Sequence, residues 1–137
     1  MAIEGGCYCG ACRYRIALDR LDDVANCHCS ICRRTTGGAF VTWATVPKSA
    51  FEWLAGRPRD YAPNDTSRRW FCPSCGAQLA LWTSLSPETI DITVTTLDRA
   101  EDHPPNRHIF VRGKLDWVFV DDGLPQEAEE VYPDSTV

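Results

Sequence analysis

Two short stretches decide how this chain folds: Cys7-Tyr8-Cys9 near its start, and Cys72-Pro73-Ser74-Cys75-Gly76 in its middle. Thiols one or two residues apart are poor partners for each other, because a disulfide needs Cα atoms about 4.4–6.8 Å apart and a particular dihedral angle. Closely spaced thiolates are instead typical of tetrahedral zinc, which binds sulfur at about 2.3 Å. The two stretches together supply a complete set of four ligands. The sequence therefore predicts a structural zinc on Cys7, Cys9, Cys72 and Cys75.

The local backbone of both stretches suits a metal ion. Cys7 and Cys9 occupy positions i and i+2 just before a predicted strand, so their side chains face the same way. Gly76 can adopt a positive φ after the Cys72–Cys75 turn, which lets the chain wrap around an ion. The alternative for this turn is a thioredoxin-like redox pair, but that motif expects an α/β context and opens a helix. Zinc is favoured because the chain is rich in strand patterns.

A third group, Cys27-His28-Cys29-Ser30-Ile31-Cys32, offers three thiols within six residues. Three protein ligands and one exchangeable position are typical of a catalytic zinc. This is our prediction for Cys27, Cys29 and Cys32. If Cys12 or a histidine filled the fourth corner, the chain would instead hold two structural sites, and counting ligands leaves that alternative open.

The two residues closest to these groups are expected not to bind metal. Cys12 has the opposite parity to Cys9 along an extended strand, so it should point away from the ion and behave as a small buried hydrophobe. His28 stands between two cysteines that need the same face. We therefore expect the His28 side chain to point outward.

Composition and charge describe one soluble domain. The chain has 137 residues, of which 44% are hydrophobic and 24% charged, enough for one modest core. We see no secretory signal pattern and no apolar run of the roughly 20 residues that span a membrane, so a cytoplasmic location is expected. In that reducing compartment, dense cysteine favours metal binding or catalysis over a disulfide scaffold. The net charge of −5 disfavours non-specific binding to nucleic acid.

Short alternating runs separated by Gly, Pro, Asn and Asp predict a mainly β fold with very little helix. The predicted strands lie at residues 14–18, 40–46, 79–82, 90–95 and 108–112. One short helical turn is predicted from Ser30 to Thr35 and should end at Gly37-Gly38. From Asp121 onward the sequence turns acidic and apolar residues become sparse. We therefore predict a zinc domain over residues 1–124 and a loosely ordered acidic tail over residues 125–137.

Taken in order, these motifs resemble the glutathione-dependent formaldehyde-activating (GFA) family, whose relatives include the centromere protein V-like domains. The resemblance runs from about residue 4 to residue 124. The matching segments are Gly5–Tyr14, Cys27–Arg34, Phe71–Gly76, Thr96–Asp98 and His108–Phe110, together with Trp117.

The resemblance implies a β-tent of antiparallel sheets with two zinc ions, one structural and one catalytic. The substrate-facing ion would be held by the three central cysteines, and the structural ion by Cys7, Cys9, Cys72 and Cys75. It also implies a carbon–sulfur lyase that joins formaldehyde to glutathione as S-hydroxymethylglutathione. A small thiol such as glutathione is the expected partner, and neither nucleic acid nor a membrane is expected.

These expectations combine into a mechanism. The exchangeable position on the central zinc accepts a small thiol and holds it as a thiolate, which attacks an aldehyde carbon or, in reverse, is released from a hemithioacetal. Arg33 and Arg34 directly follow Cys32, so they could offset the negative charge of the site or clamp a carboxylate. We place Arg33 with Cys27, Cys29 and Cys32 among the predicted catalytic residues. A solvent-facing arginine pair is the alternative.

Two further points stay open at this stage. His108 is a candidate proton shuttle on the resemblance alone. The second candidate function is a non-catalytic module that is stabilised by two structural zinc ions and binds a protein or a small molecule.

Overall fold

The computed structural model describes residues 2–130, and in that range the chain forms ten strands and one α-helix. No helix in this range is long and apolar enough to cross a membrane. The prediction of a mainly β fold with very little helix is confirmed. The strands are β1 (Ile3–Gly6), β2 (Arg13–Ile16), β3 (Val24–Cys27), β4 (Val41–Pro47), β5 (Phe51–Ala55), β6 (Arg59–Asn64), β7 (Ser67–Phe71), β8 (Gln78–Thr83), β9 (Thr89–Thr93) and β10 (Arg107–Ile109), and the helix is α1 (Ser30–Thr36).

The strands form two sheets. The smaller sheet has the order β1-β2-β5, and the larger has the order β10-β3-β4-β9-β8-β7-β6. Neighbouring strands are antiparallel except β10, which runs parallel to β3. The one α-helix begins and ends close to the predicted residues, and Gly37 closes it with a φ of +77°.

Alternation along the strands gives the larger sheet two different apolar faces. One face packs against the smaller sheet and contributes Val24, Ala44 and Ile92 to the main core. The opposite face carries a second, smaller cluster, which consists of Ala25, Cys27, Cys32, Val41, Trp43, Leu81 and Ile109. Because Cys27 of β3 and Cys32 of α1 belong to this second cluster, the central thiols lie on the face that looks away from the smaller sheet.

Strands β6 and β7 do not show the alternation that marks the predicted strands. Pro63 lies near the end of β6, which turns into β7 at Asp65 and Thr66, and all six residues of β6 are exposed. A proline is tolerated there because β6 is the edge strand of its sheet. The pairing of β6 with β7, rather than burial, holds this segment in place.

The segment after residue 124 lies along β10. The His108 N–H donates to the Pro125 carbonyl (2.8 Å), and the Glu127 N–H donates to the His108 carbonyl (2.9 Å). Arg107 forms ion pairs at 3.1 Å with Asp23, Glu127 and Glu130. Residues 125–130 are thus attached to the sheet, whereas residues 131–137 of the expected tail lie outside the described residues. The domain boundary at residue 124 stays a prediction.

The loop that carries Cys12 packs tightly against Gly56, and this contact can be tested. Gly56 has a φ of +78°, and an added Cβ would overlap the Ala11 carbonyl oxygen and lie 2.9 Å from the Cys12 Cα. Gly123 has a similar φ of +75°, but a Cβ there would meet nothing within 4 Å. We expect Gly123→Ala to lower the free energy of unfolding by about 1–2 kcal/mol through backbone strain alone. Gly56→Ala should cost clearly more, because the Cys12 loop must also move.

Urea unfolding of the metal-loaded variants measures both losses. Equal losses of unfolding free energy in the two variants would show that the Cys12 loop shifts at no energetic cost. That result would contradict the tight packing of this loop against Gly56.

Candidate metal centres

The two outer cysteine pairs meet at one point, although one pair follows β1 and the other follows β7. All four Sγ atoms lie within 4.8 Å of one another. The Cys7 and Cys9 sulfurs are 3.6 Å apart, and those of Cys9 and Cys72 are 3.8 Å apart. Cys75 completes the group, which we call the outer cluster. It joins a loop of the smaller sheet to a loop of the larger one.

The sulfur separations fit a tetrahedral ion. Four sulfurs placed at about 2.3 Å from a central zinc stand about 3.8 Å from each other. A disulfide would need about 2.05 Å between two sulfurs, and all eight cysteines are free. The donor set and its spacing therefore fit zinc and exclude a disulfide scaffold in this structure.

Backbone amides point at the outer sulfurs. The Cys12 N–H donates to Cys7 Sγ (3.2 Å), and the N–H groups of Ser74 and Cys75 donate to Cys72 Sγ (3.4 Å each). The Cys75 amide is the main reason that the pKa of the Cys72 thiol is lowered, and the Ser74 amide adds to it against the effect of burial. Such donors stabilise thiolates, the form that binds a metal.

Cys12 remains outside the outer cluster, as predicted. Its side chain is only 1% exposed and packs in the main core. Burial, together with the neighbouring thiol of Cys72, raises the pKa of Cys12 to about 12. Cys12 is therefore a neutral, buried residue.

The three central cysteines form a second group where β3 passes into α1. Cys27 is the last residue of β3, and the side chain of Cys29 caps α1 by accepting from the Cys32 N–H (3.2 Å). The sulfurs of Cys27 and Cys32 are 3.7 Å apart, and the three Sγ atoms lie within 4.8 Å of one another. No fourth His, Cys or carboxylate atom joins them within residues 2–130. We call this group the central cluster.

The thiols of the central cluster share protons. Hydrogen bonds from the Cys27 and Cys32 thiols lower the pKa of Cys29 to about 2, so one negative charge is held by the cluster even without an ion. Cys27 and Cys32 are buried, and Cys29 is partly exposed. The arrangement can therefore supply three sulfur ligands from one side and leave the other side free.

His28 does not join the central cluster, but the expectation that it points outward is wrong. Its side chain is fully buried, because β10 lies beside β3 and covers it. His28 Nε2 lies 3.0 Å from His108 Nδ1, and His108 Nε2 lies 2.7 Å from an Asp122 carboxylate oxygen. Sequence pattern alone missed this chain of contacts because its members are 80 and 14 residues apart.

The hydrogen bonds define the tautomers of the two rings. The Asp122 carboxylate accepts from His108 Nε2–H, so His108 Nδ1 accepts from His28 Nε2–H. Burial and the neighbouring His108 lower the pKa of His28 to about 4, in keeping with a neutral ring. His28 Nδ1 is left buried without a partner in the described range. The two rings and Asp122 thus brace the loop that holds Cys27 and Cys29, and a proton-shuttle role for His108 stays a prediction.

The cation that contacts the central cluster is not one that the sequence pointed to. Arg33 donates to the Gly113 carbonyl (3.4 Å), and Arg34 is exposed on α1. Arg69 reaches across from β7 and lies 3.8 Å from Cys32 Sγ, while its other terminal nitrogen donates to the Thr35 hydroxyl (3.1 Å). The sequence alone does not show that Arg69 lies on the same sheet face as the cluster, because that placement depends on which strands pair.

A cavity of about 560 Å³ opens beside the central cluster. Its floor is the face of the larger sheet that carries Trp43 and Leu81, and its walls include Ile109 and Phe110. The charged residues along it are Arg69, Asp91 and Glu130. Another cavity, of about 660 Å³, is lined by several tryptophans on a different part of the surface and contains no cysteine. We therefore place the candidate active site in the first cavity.

Asp91 is a buried carboxyl group of this cavity with a strongly perturbed pKa. It lies on β9 and accepts a hydrogen bond from the Thr45 hydroxyl (2.7 Å). Burial raises its pKa to about 7, the Thr45 hydrogen bond opposes that shift, and the negative charges of Glu130 and Asp23 add to it. Asp91 is therefore close to half ionised at neutral pH.

The fold and these two clusters define a mainly β protein with one cluster of four cysteines between the sheets and one cluster of three cysteines beside a cavity, each of which could hold a metal ion. The chain belongs to the glutathione-dependent formaldehyde-activating enzyme family, whose model matches residues 2–113. The resemblance seen in the motifs is thereby confirmed.

One curated relative carries the same family description, and one solved structure is similar in fold. A curated protein from Halomonas elongata, whose name carries the same family description, is 26% identical over 147 aligned residues that cover all of this chain and 92% of the relative. The crystal structure of a Rhodobacter sphaeroides protein is 25% identical with a TM-score of 0.60, and the match covers 90% of this chain and 98% of that one.

The raised pKa of Asp91 has a measurable effect on stability. Between the unfolded value of 3.8 and the folded value of about 7, the folded state binds the additional proton, so the free energy of unfolding falls as pH rises through this window. Three pKa units correspond to at most about 4 kcal/mol. In Asp91→Asn this decline should be absent.

Unfolding of both proteins in urea between pH 5 and 8 tests this. Subtracting the two curves removes the titration of the thiols, which both proteins share. A difference that does not vary with pH would contradict the shift.

Proposed function

We propose that this chain is a zinc-dependent carbon–sulfur lyase that forms or cleaves adducts between a small thiol and an aldehyde. Glutathione and formaldehyde are the pair that the family's name suggests. The observation that carries the proposal is the central cluster: three sulfurs with ion-binding spacing and no fourth protein ligand in the described range, placed beside a cavity. Three ligands and one exchangeable position are the usual arrangement of a catalytic zinc.

The reaction balances without any further reagent. A thiol and an aldehyde combine as a carbon–sulfur bond forms, the carbonyl π bond breaks, and the thiol proton passes to the carbonyl oxygen. The product is a hemithioacetal, and the reverse reaction returns both partners. When bound at Cys27, Cys29 and Cys32, Zn²⁺ would supply the chemistry of lowering the pKa of a thiol in the fourth position.

Arg69 offsets charge at this position. Three cysteinates around one divalent ion carry a net charge of −1, and an incoming thiolate makes it −2. The Arg69 guanidinium lies 3.8 Å from Cys32 Sγ. It therefore places one positive charge next to the sulfur ligands and offsets part of their negative charge. The sequence suggested Arg33 for this charge compensation. Arg69, which lines the cavity, is a second candidate for the same role.

The cavity walls protect the reacting groups. Trp43, Leu81 and Ile109 are each less than a tenth exposed and present apolar surface to the cavity. Formaldehyde hydrates in water, so an apolar wall favours attack by the thiolate over attack by water. A cytoplasmic location accompanies this proposal, because reduced thiols persist in a reducing compartment.

The second candidate function is a non-catalytic module with two structural zinc sites. It is favoured by the burial of Cys27 and Cys32, since structural sites are usually enclosed. The two functions differ in what the loss of Cys29 should do. In an enzyme the fold should survive, whereas in a module the fold should weaken.

The deciding variants are Cys29→Ser in the central cluster and Cys75→Ser in the outer cluster. Exchange between ¹³C-formaldehyde and its glutathione adduct, followed by NMR, measures turnover. We expect the metal-loaded wild type to accelerate exchange and Cys29→Ser to lose at least about 100-fold of that acceleration, since even residues behind a ligand are worth 10–100-fold. Cys29→Ser should keep its urea midpoint, whereas Cys75→Ser should lower it.

A wild type that holds two zinc ions, accelerates no exchange and binds no glutathione would contradict the lyase. Unfolding of Cys29→Ser would favour the module.

A further inference from the structure

The cavity beside the central cluster has two chemically different ends. The thiols and Arg69 lie at one end, and Asp91 lies at the other, beside Glu130. We infer that Asp91 is a specificity residue that binds the amino group of the thiol substrate. This inference rests on the proposed function, because it assumes that the substrate's sulfur occupies the central cluster.

Strand register gives the separation of the two ends. Cys27 pairs with Val41 on β4, and Asp91 pairs with Thr45 on the same strand. The four residue steps from Val41 to Thr45 span about 14 Å, and the two strand spacings add about 10 Å sideways, which gives about 17 Å between the Cα atoms. The side chains of Cys27 and Asp91 stand on the same face of the sheet.

In glutathione the ammonium nitrogen and the sulfur are separated by eight bonds, which span about 9–10 Å when extended, whereas a single residue spans about 3.5 Å. A zinc–sulfur bond of about 2.3 Å and a hydrogen bond of about 2.8 Å to the carboxylate extend this reach to about 14 Å, which is comparable to the separation of the two ends. A thiol of one residue or less reaches the ion without reaching Asp91. The length of the cavity thus selects for the distance between the sulfur and the amino group.

Asp91 lacks a cation of its own. The Thr45 hydroxyl donates to Asp91, and Asp91 forms no ion pair within residues 2–130. The nearest cation in the network, Arg107, is engaged by Asp23, Glu127 and Glu130 at 3.1 Å each. A carboxyl group with a hydroxyl partner but no cation can hold an ammonium with a charge-assisted hydrogen bond. Its raised pKa agrees with this lack of a cation.

The middle of the cavity supplies a second sign of a bound molecule. Trp43 pairs with Ala25 on one side and Thr93 on the other, so it lies on the floor between the two ends. Its side chain is only 4% exposed, and its indole N–H has no acceptor in the described part of the chain. A peptide-like thiol carries carbonyl oxygens between its sulfur and its amino group, and one of these can accept from the indole.

The ligand class is therefore a thiol that carries an ammonium about 9–10 Å from its sulfur in the extended form. Three thiols are compared to separate the contribution of the ammonium from that of the sulfur. Glutathione has both groups, N-acetylglutathione lacks the ammonium, and 2-mercaptoethanol has the thiol but reaches no further than the ion. The test variants are Asp91→Asn and, as a matched control, Asp65→Asn, which changes an exposed carboxyl outside this cavity.

Steady-state formation of each thiol–formaldehyde adduct is measured with the zinc-loaded proteins. We expect Asp91→Asn to raise the KM for glutathione by about 10- to 100-fold, as expected for a lost hydrogen bond to a charged group, with little change in kcat. The wild type should use N-acetylglutathione as poorly as Asp91→Asn uses glutathione. 2-Mercaptoethanol should be used equally by all three proteins.

Two results overturn the inference and leave the proposed function standing. One is an equal KM of the wild type for glutathione and its N-acetyl form. The other is an equal loss by Asp91→Asn with 2-mercaptoethanol, which would mark a structural role. If the wild type accelerates adduct formation with none of the three thiols, the proposed function itself fails.

Discussion

The outer cluster is the constraint on which the rest of the structure depends. It brings together Cys9 and Cys72, which are 63 residues apart, and so ties the smaller sheet to the larger one. The two sheets are also joined by packing in the main core, by the backbone bridge from Gly5 to Leu97, and by the contacts of Arg13 with Asp98 and of Tyr14 with Thr96. Since four thiolates this close repel one another without a cation, the free energy of metal binding becomes part of the free energy of folding.

The central cluster also consists of closely spaced thiols, but it differs from the outer cluster in where its cysteines come from. Its three sulfurs come from one short segment, where β3 ends and α1 begins, so its ion would add little to the tertiary fold. The buried chain of His28, His108 and Asp122 holds that segment from behind, and the apolar face of the larger sheet forms the cavity in front. The outer cluster could hold an ion between two sheets, and the central cluster could hold one beside a space that a small molecule can enter.

The sequence predicted the clusters better than it predicted their surroundings. Spacing gave the three groups of cysteines, because thiols a few residues apart move together whatever the fold does, and counting to four ligands joined the two outer pairs. Alternation likewise predicted β9, whose Ile90 and Ile92 face the core. The contact of Arg69 with Cys32 and the burial of His28 were missed, because both depend on which strands become neighbours. Arg33 was predicted because it directly follows Cys32 in the sequence. Arg69 lies at the site because of the strand order.

The central claim is that seven sulfurs share two metal ions. The most direct test is the zinc content per chain of wild type, Cys75→Ser and Cys32→Ser, purified in the same way and measured by elemental analysis. The account predicts two ions in the wild type and about one in each variant, with sulfur as the dominant neighbour in X-ray absorption spectra. A wild type that contains no metal and shows disulfides among these seven cysteines after alkylation would contradict it.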